Sequence, residues 1–194
     1  MAHSLTFILG GARSGKSDYA QALVDQEGAK VLFVATAAAL DEEMQTRIAA
    51  HRSHRPAHWT TLEAPRHVGE TLRTAPLSEW ILLDCMTLWV SNLLVGLPEP
   101  IIETDYYAAV EKELNGLLDV ISKSPSRWVI VSNEVGLGLV PVYPMGRFFR
   151  DALGRVNQRL AQVADTVYFM VSGLPMLVKG GSPRPMVFSR SLDK

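Results

Sequence analysis

Short apolar runs alternate with longer stretches of mixed polarity along most of the chain. The apolar runs are continuous, which is typical of strands buried on both faces, as in a parallel sheet covered by helices. The longer mixed stretches are typical of helices that pack on such a sheet. The pattern therefore predicts an α/β layered domain with a mainly parallel central sheet. The predicted strands are residues 6–9, 31–35, 80–83, 128–131 and 166–171, and the predicted helices are residues 16–26, 41–54, 106–122 and 148–164.

Length and composition limit the number of domains. The 194 residues suit one domain of about 150 residues better than two, and 47% apolar residues are enough to fill a core. We expect this domain to span residues 1–179, with loops at 96–100 and 136–145. From Gly180 onward the chain lacks periodicity, so residues 180–194 are predicted to form a loosely held tail.

The charge and cysteine counts exclude several classes of protein. The 19 Lys and Arg residues nearly balance the 20 Asp and Glu residues, so no overall charge attracts nucleic acid. Cys85 is the single cysteine, which excludes an intramolecular disulfide and a multi-cysteine metal site. No apolar run reaches the roughly 18 residues of a membrane span, and the N-terminus lacks the basic region of a secretory signal. A cytoplasmic protein without nucleic-acid or membrane partners is expected.

A glycine-rich segment between the first predicted strand and the following helix is the strongest motif. It matches G-x-x-x-x-G-K-[ST] at every fixed position, in the strand–loop–helix context that the motif requires. The glycines let backbone N–H groups point at phosphate oxygens, and the helix N-terminus adds its positive end. Lys16 can reach the β- and γ-phosphates, and the Ser17 hydroxyl can ligate Mg²⁺. This nucleoside triphosphate site, the P loop, consists of Gly10, Gly11, Ala12, Arg13, Ser14, Gly15, Lys16 and Ser17.

Two carboxylates follow other predicted strands. Asp84 ends the apolar run 81–83 and is expected to hold Mg²⁺ directly or through water, or else to cap the next helix. Glu134 follows the strand 128–131 and is a second candidate for a metal-binding or positioning group, because a carboxylate at the carboxyl end of a strand faces the crevice in which open α/β sheets bind ligands. A loop-capping role suits Glu134 equally well. The N-K-x-D sequence of guanine-specific GTPases is absent.

Positive charge is concentrated in residues 47–73. This segment holds five arginines and four of the five histidines but only two acidic residues, which indicates an anion such as a second set of phosphates. His51 is expected on the apolar face of the predicted helix 41–54, near its end. Spacing alone leaves three roles open for His51: a zinc ligand with two neighbouring histidines, a core histidine, or a nucleophilic or acid–base imidazole beside Arg52 and Arg55.

The P loop is the first of several blocks that occur together in one known family. The others include VATA, RIAAHRSHRP, LLDCMTLWVSNLL, SNEVG and FRDALGRVNQ, at residues 34–37, 47–56, 82–94, 132–136 and 149–158. In this order they resemble the bifunctional adenosylcobinamide kinase and adenosylcobinamide-phosphate guanylyltransferase family of cobalamin biosynthesis. The P loop is shared by many families, whereas the ordered set, which extends from residue 5 to residue 179, is highly specific.

The resemblance implies two reactions. In the first, ATP or GTP phosphorylates the hydroxyl of the aminopropanol arm of adenosylcobinamide. In the second, GTP guanylylates a histidine with release of pyrophosphate, and adenosylcobinamide phosphate then takes the GMP to give adenosylcobinamide-GDP. The implied architecture is a RecA-like P-loop domain that forms a homotrimer with sites between subunits.

The resemblance also assigns roles to single residues. His51 matches the guanylylated histidine. Two positions depart from the pattern of some family members: Ala37 replaces a serine, which removes a possible hydroxyl contact, and Asp84 replaces a glutamate. Beyond the P loop, the implied nucleotide contacts are Thr36, Ala37, Ala38, Arg52, Ser53, His54, Arg55, Glu63 and Asp84.

Two alternatives to the bifunctional enzyme remain at this stage. One is a single-activity P-loop kinase for a small molecule, in which His51 is structural and no covalent intermediate forms. The other is a P-loop ATPase or switch protein that acts on a macromolecular partner. Release of pyrophosphate from GTP without an acceptor would separate the bifunctional enzyme from the kinase.

Overall fold

The structure, a computed structural model, describes residues 4–25, 29–38, 42 and 55–181. Within these ranges, strands and helices mostly alternate along the chain. The strands are β1 (Ser4–Gly10), β2 (Val31–Ala35), β3 (Thr60–Glu63), β4 (Trp80–Asp84), β5 (Arg127–Asn133), β6 (Thr166–Val171) and β7 (Leu174–Lys179). The helices are α1 (Lys16–Val24), α2 (Val68–Arg73), α3 (Met86–Val95), α4 (Glu103–Lys123) and α5 (Pro144–Val163).

The seven strands form one sheet in the order β3-β2-β4-β5-β1-β6-β7. Strands β1 to β6 are parallel to their neighbours, and only β7 pairs in the antiparallel direction, at one edge. The carboxyl ends of the six parallel strands therefore lie along the same edge of the sheet, where open α/β sheets bind ligands. The predicted α/β fold with a mainly parallel sheet is confirmed.

Both faces of the sheet are buried, which explains the continuous apolar runs of the sequence. Phe7 and Ile8 are neighbours in β1, yet both are fully buried because they belong to cores on opposite faces. One core holds the buried side chains of α2 to α5, and the other holds those of α1. Alternating residues of a strand point to opposite faces, so an apolar side chain is needed at every position.

All five predicted strands and three of the predicted helices are present, with small shifts at their ends. Helix α1 begins at Lys16 as predicted, and α5 begins four residues earlier than predicted because Pro144 fits the first turn of a helix. The prediction of a helix over 41–54 falls outside the described residues apart from Glu42, as does the predicted tail from residue 182 onward.

Four elements were not predicted from the sequence: β3, β7, α2 and α3. The buried residues of α3 are spaced as in a helix. The helix is short and apolar on nearly every side, however, so its sequence pattern does not distinguish a helix from a strand. Strand β7 is an edge strand with partly exposed apolar side chains, joined to β6 by a tight turn at Ser172 and Gly173. A Ser-Gly pair after a predicted strand is a known indication of a β-hairpin, so β7 could have been predicted from it.

Helices α2 and α4 pack closely enough that a glycine is required at their contact. A Cβ atom added to Gly69 of α2 would lie 2.7 Å from the carbonyl carbon of Gly116 in α4. The obstacle is backbone, which cannot rotate away as a side chain can. An added Cβ at Gly116 itself would meet nothing within 4 Å.

We predict that Gly69→Ala lowers the free energy of unfolding by about 1–3 kcal/mol, since overpacking forces the two helices apart. The melting temperature should fall by about 2–4 °C for each kcal/mol. Gly116→Ala is the matched control and should leave stability unchanged or raise it by up to about 1 kcal/mol, through helix propensity. Equal melting temperatures for Gly69→Ala and the unsubstituted protein would show that the contact is looser than described.

Candidate nucleotide site

The P loop connects β1 to α1 at the carboxyl edge of the sheet. Gly10 and Gly15 have φ of 157° and 85°, and Gly15 is the residue immediately before α1. A Cβ on Gly10 would lie 2.7 Å from the carbonyl oxygen of Met170, so only glycine fits between β1 and β6. Arg13 also has a positive φ, of 55°, and its side chain is exposed at the tip of the loop. The glycines thus permit the tight turn that the motif predicts.

The turn between β6 and β7 supports the P loop from one side. The backbone N–H of Gly173 donates a hydrogen bond to the carbonyl oxygen of Ser14, at 3.0 Å. A Cβ on Gly15 would lie 3.1 Å from the Cα of Gly173. Two glycines therefore let the turn and the loop approach closely, a contact that no sequence motif indicated.

Lys16 is buried within the loop rather than extended into solvent. Its Nζ donates to the carbonyl oxygen of Gly11 at 2.6 Å and to Ser14 Oγ at 3.4 Å. Burial lowers the pKa of the ammonium group, and the nearby carboxylate of Asp84 counteracts that shift only in part. A desolvated cation held by neutral oxygens is a strong attractant for phosphate.

Asp84 approaches the P loop from β4, which is separated from β1 by β5. Gly10 of β1 pairs with Asn133 of β5, and Asp84 pairs with Val131 of the same strand. The carboxylate is close enough to Lys16 to influence its pKa. The residue at the N-cap of α3 is Cys85, whose side chain makes no capping hydrogen bond.

The hydroxyl of Thr36 both donates and accepts a hydrogen bond within the protein. It donates to the carbonyl oxygen of Cys85 at 2.6 Å and accepts from the N–H of Cys85 at 2.8 Å. The backbone N–H of Thr36 donates to the carbonyl oxygen of Asp84 at 3.3 Å, and the residue is fully buried. Thr36 therefore joins the carboxyl ends of β2 and β4. Desolvation raises the pKa of the Cys85 thiol to about 12, so the thiol stays protonated and is no nucleophile.

Two amides hold the ends of neighbouring strands in place. Asn92 Nδ2, on α3, donates to the carbonyl oxygens of Thr36 and Pro65, at 2.7 and 2.9 Å. Asn157, on α5, is buried; its Nδ2 donates to the carbonyl oxygen of Asn133 at 3.1 Å, and its Oδ1 accepts from Ser132 Oγ at 2.7 Å. These amides fix the carboxyl ends of β2 and β5.

The basic segment is described only from Arg55 onward. His51, Arg52, Ser53 and His54 lie outside the described residues. The guanidinium carbon of Arg55 lies 3.6 Å from the ring centroid of Phe33, a cation–π contact on the α1 side of the sheet. Glu63 is exposed at the end of β3, which β2, β4 and β5 separate from the P-loop strand. The structure therefore brings Lys16 and Asp84 together, with Glu63 farther along the same edge.

Comparison with known proteins identifies the family. Residues 6–178 match the model of the family described as cobinamide kinase / cobinamide phosphate guanyltransferase. The chain belongs to this family. It is 45% identical over 185 residues to the bifunctional adenosylcobalamin biosynthesis protein CobU of Salmonella typhimurium, a match that covers 90% of this chain and 99% of the relative. The family resemblance drawn from the sequence is confirmed.

Two further relatives of the same kind span nearly the whole chain. The bifunctional adenosylcobalamin biosynthesis protein CobP of Pseudomonas aeruginosa is 44% identical over 174 residues, which is 89% of this chain and 96% of the relative. The corresponding CobU protein of Escherichia coli is 42% identical over 182 residues, or 90% of this chain and 99% of the relative. Such coverage makes this family member an enzyme with the kinase and guanylyltransferase activities that the family description names.

Two kinds of feature are absent from the described residues. No helix among them is both long and apolar enough to cross a membrane. No group of three or more His, Cys, Asp and Glu side chains within the same ranges is arranged to hold a metal ion by itself.

We predict that Lys16→Met abolishes the rise in melting temperature that Mg²⁺ and GTP cause in the unsubstituted protein. That rise should be about 5–10 °C with GTP at 100 times its Kd. Without ligand, Lys16→Met should melt at the same temperature or higher, because the buried ammonium costs free energy. Lys123→Met, an exposed lysine paired with Asp119, is the control and should keep the full rise.

The lowered pKa of Lys16 also predicts how the stability of the ligand-free protein changes with pH. The unfolded chain binds this proton more tightly than the folded one, so the ligand-free protein should gain stability as pH rises toward the ordinary lysine pKa of 10.5. Lys16→Met should lack this gain. A ligand-free Lys16→Met protein that melts several degrees lower would contradict the view that the buried ammonium is a net cost.

Proposed function

We propose that the P-loop crevice binds the nucleoside triphosphate for both reactions, phosphorylation of adenosylcobinamide and transfer of GMP to adenosylcobinamide phosphate. The product of the second reaction would be adenosylcobinamide-GDP. The observation that carries this proposal is the buried ammonium of Lys16, held on the carbonyl oxygen of Gly11 across the crevice from Asp84. Membership of the family supplies the chemistry of the acceptors.

The triphosphate would lie along the P loop, with its β- and γ-phosphates at the N-terminus of α1. Backbone N–H groups of the loop donate to the phosphate oxygens, and Lys16 exchanges its two neutral oxygen partners for a charged one. This exchange restores the stability of the ammonium form. The same contacts stabilise the charge that develops on a leaving nucleoside diphosphate or pyrophosphate.

The residues at this place fit a magnesium ion. Mg²⁺ takes oxygen ligands and is commonly bound by one or two protein groups together with substrate phosphates. Ser17, on the first turn of α1, would supply a hydroxyl, and Asp84 a carboxylate oxygen. When bound, the ion neutralises charge on the phosphates.

Guanylyl transfer would proceed through His51. A ring nitrogen of the neutral imidazole attacks the α-phosphorus of GTP, the bond from that phosphorus to the bridging oxygen breaks, and pyrophosphate leaves. A phosphate oxygen of adenosylcobinamide phosphate then attacks the same phosphorus, and the P–N bond breaks to release the histidine. Arg52 and Arg55 would offset charge on the phosphates, and departure of Arg55 from Phe33 would be needed for this role.

The other residues implied by the resemblance would contact the nucleotide at the same sheet edge. Ala37 and Ala38 would do so through their backbone. Thr36 would hold this segment in place, since its hydroxyl, its N–H and its carbonyl oxygen all have partners within the protein. Glu63, at the outer strand, lies far enough along the edge to meet the base or ribose rather than the phosphates. Ser53 and His54 complete the set.

We predict that His51→Ala loses covalent labelling but keeps triphosphate binding. The protein is incubated with Mg²⁺ and GTP that is labelled at the α- or the γ-phosphate, then denatured. The unsubstituted protein should retain the α-label only, in a form that is labile to acid and stable to base, as expected of a phosphoramidate. His67→Ala, whose side chain is exposed and paired with Glu113, should label normally.

Retention of the α-label by His51→Ala would exclude His51 as the nucleophile. Absence of covalent label in an unsubstituted protein that binds GTP would instead favour a kinase without the histidine intermediate. The first result would still allow guanylyl transfer through another nucleophile, whereas the second would argue against guanylyl transfer through any covalent intermediate.

Assembly and location stay predictions. A homotrimer is consistent with the exposed apolar side chains of the segment that follows Glu134, since surfaces of this kind mark interaction sites. The exposed residues there are Leu137, Leu139, Val140, Val142 and Tyr143. The expected location of the enzyme is the cytoplasm.

A further inference from the structure

Glu134 is a carboxylic residue at the carboxyl edge of the sheet, and neither the P-loop motif nor the family resemblance gives it a role. It directly follows β5, the strand that lies between the P-loop strand β1 and the Asp84 strand β4. Its backbone N–H donates to the carbonyl oxygen of Gly10 at 3.0 Å. The backbone of Glu134 is therefore tied to the first residue of the P loop.

The strand end that carries Glu134 is held firmly by two helices. The N–H of Asn133 donates to Thr87 Oγ1, on α3, at 2.9 Å. Asn157, on α5, holds the carbonyl oxygen of Asn133 and the hydroxyl of Ser132 through its side-chain amide. Groups fixed on strand ends by a second layer of hydrogen bonds are suited to catalysis, because the geometry does not have to be formed at each turnover.

The side chain is held in turn by the loop that follows. Glu134 Oε1 accepts a hydrogen bond from the backbone N–H of Gly136, at 2.6 Å. A Cβ added to Gly136 would lie 2.8 Å from the same oxygen, so the position of the carboxylate depends on a glycine there. A carboxylate with one oxygen so bonded still has lone pairs for a second donor.

The two reactions make different demands on a base. In the kinase reaction the acceptor is an alcohol, whose oxygen must lose its proton as it bonds to phosphorus. In guanylyl transfer the acceptor is a phosphate oxygen that is already anionic near neutral pH, and it needs no base. A general base in this crevice should therefore serve the first reaction only.

Other described groups at this edge are less suited to that task. Cys85 is the N-cap residue of α3, where its backbone groups bond the Thr36 hydroxyl. Asp84 faces Lys16 and is the residue expected to hold the cation. Glu63 ends β3, with three strands between it and β1.

We propose that Glu134 is the general base of the kinase reaction. The acceptor oxygen bonds to the γ-phosphorus while its proton passes to the Glu134 carboxylate. The bond between the γ-phosphorus and the β,γ-bridging oxygen breaks, the nucleoside diphosphate leaves, and the proton then passes to solvent. This assignment rests on the proposed function, because it takes an alcohol and a phosphate as the two acceptors.

The test measures both reactions separately in Glu134→Gln. The glutamine keeps the shape and the hydrogen bond from Gly136 but cannot take a proton at neutral pH. Phosphorylation of adenosylcobinamide should fall by about 10²- to 10⁴-fold in kcat. GMP transfer from GTP to separately prepared adenosylcobinamide phosphate should be unchanged. Glu134→Asp should keep part of the kinase activity.

Two further variants complete the design. Gly136→Ala displaces the Glu134 carboxylate without removing it. It should lower the kinase rate less than Glu134→Gln does and leave GMP transfer unchanged. If Glu134→Gln does not fold, Gly136→Ala serves as the test variant in its place. Glu79→Gln, at the opposite end of the sheet and paired with Arg127 at 2.7 Å, should change neither rate.

The possible results distinguish the proposals. Equal losses of both activities in Glu134→Gln, or a raised Mg²⁺ requirement for both, would make Glu134 a structural or metal-binding group and overturn the assignment. An unchanged kinase rate would overturn it as well. If the unsubstituted protein performs neither reaction, the proposed function itself fails.

Discussion

The parallel pairing of β5 with β1 on one side and β4 on the other is the constraint on which the site depends. Through this pairing, Gly10, Asp84 and Glu134 come to one edge of the sheet although they are far apart in sequence. Each strand is buried on both faces, so a shift of register by one residue would exchange the side chains of its two faces. The cores on the two faces therefore fix the crevice as firmly as they fix the fold.

Burial of Lys16 gives this crevice its affinity for anions. The ammonium group has lost water, and its partners are neutral oxygens and one nearby carboxylate. The free protein therefore holds a cation at some cost in stability, and a triphosphate removes that cost on binding. A site can therefore lower the stability of the ligand-free protein and still bind its ligand tightly.

The proposed roles divide the tasks among these residues. The P loop and Asp84 would bind the phosphates and their counter-ion, which both reactions share. Glu134 and His51 would serve one reaction each: the first would take a proton from an alcohol, and the second would carry GMP between two phosphate groups. A single nucleotide site could in this way support two transfers that break different bonds of a triphosphate.

Much of this arrangement could be predicted from local sequence. The P loop and Asp84 are short motifs beside apolar strands, so Lys16, Ser17 and the α/β fold were all accessible to pattern and spacing. The remaining features depend on contacts between distant parts of the chain. Asn92 reaches Thr36 across 56 residues, and Asn157 reaches Asn133 across 24. Nothing local indicates such partners, since an asparagine in a helix is usually a surface residue.

The support of the P loop by the turn at Gly173 was missed for a similar reason. That turn follows β6, which pairs with β1 only in the folded sheet. The sequence does show the small residues needed for the turn, but it does not indicate that the turn approaches the P loop. The sequence also left Glu134 as either a metal-binding or positioning group or a loop cap. In the structure its carboxylate accepts from the N–H of Gly136, as a loop cap does, and its backbone N–H bonds Gly10 and so places the residue beside the P loop.

The most direct test of a shared nucleotide site is the number of GTP molecules that one chain binds without corrinoid. His51→Ala protein is used so that no covalent label accumulates, and binding is measured by equilibrium dialysis with Mg²⁺ and labelled GTP. One GTP per chain, all of it displaced by excess ATP, is the expected result. Two GTP molecules per chain, or a bound fraction that ATP cannot displace, would show that the two reactions use separate sites and would contradict the central claim.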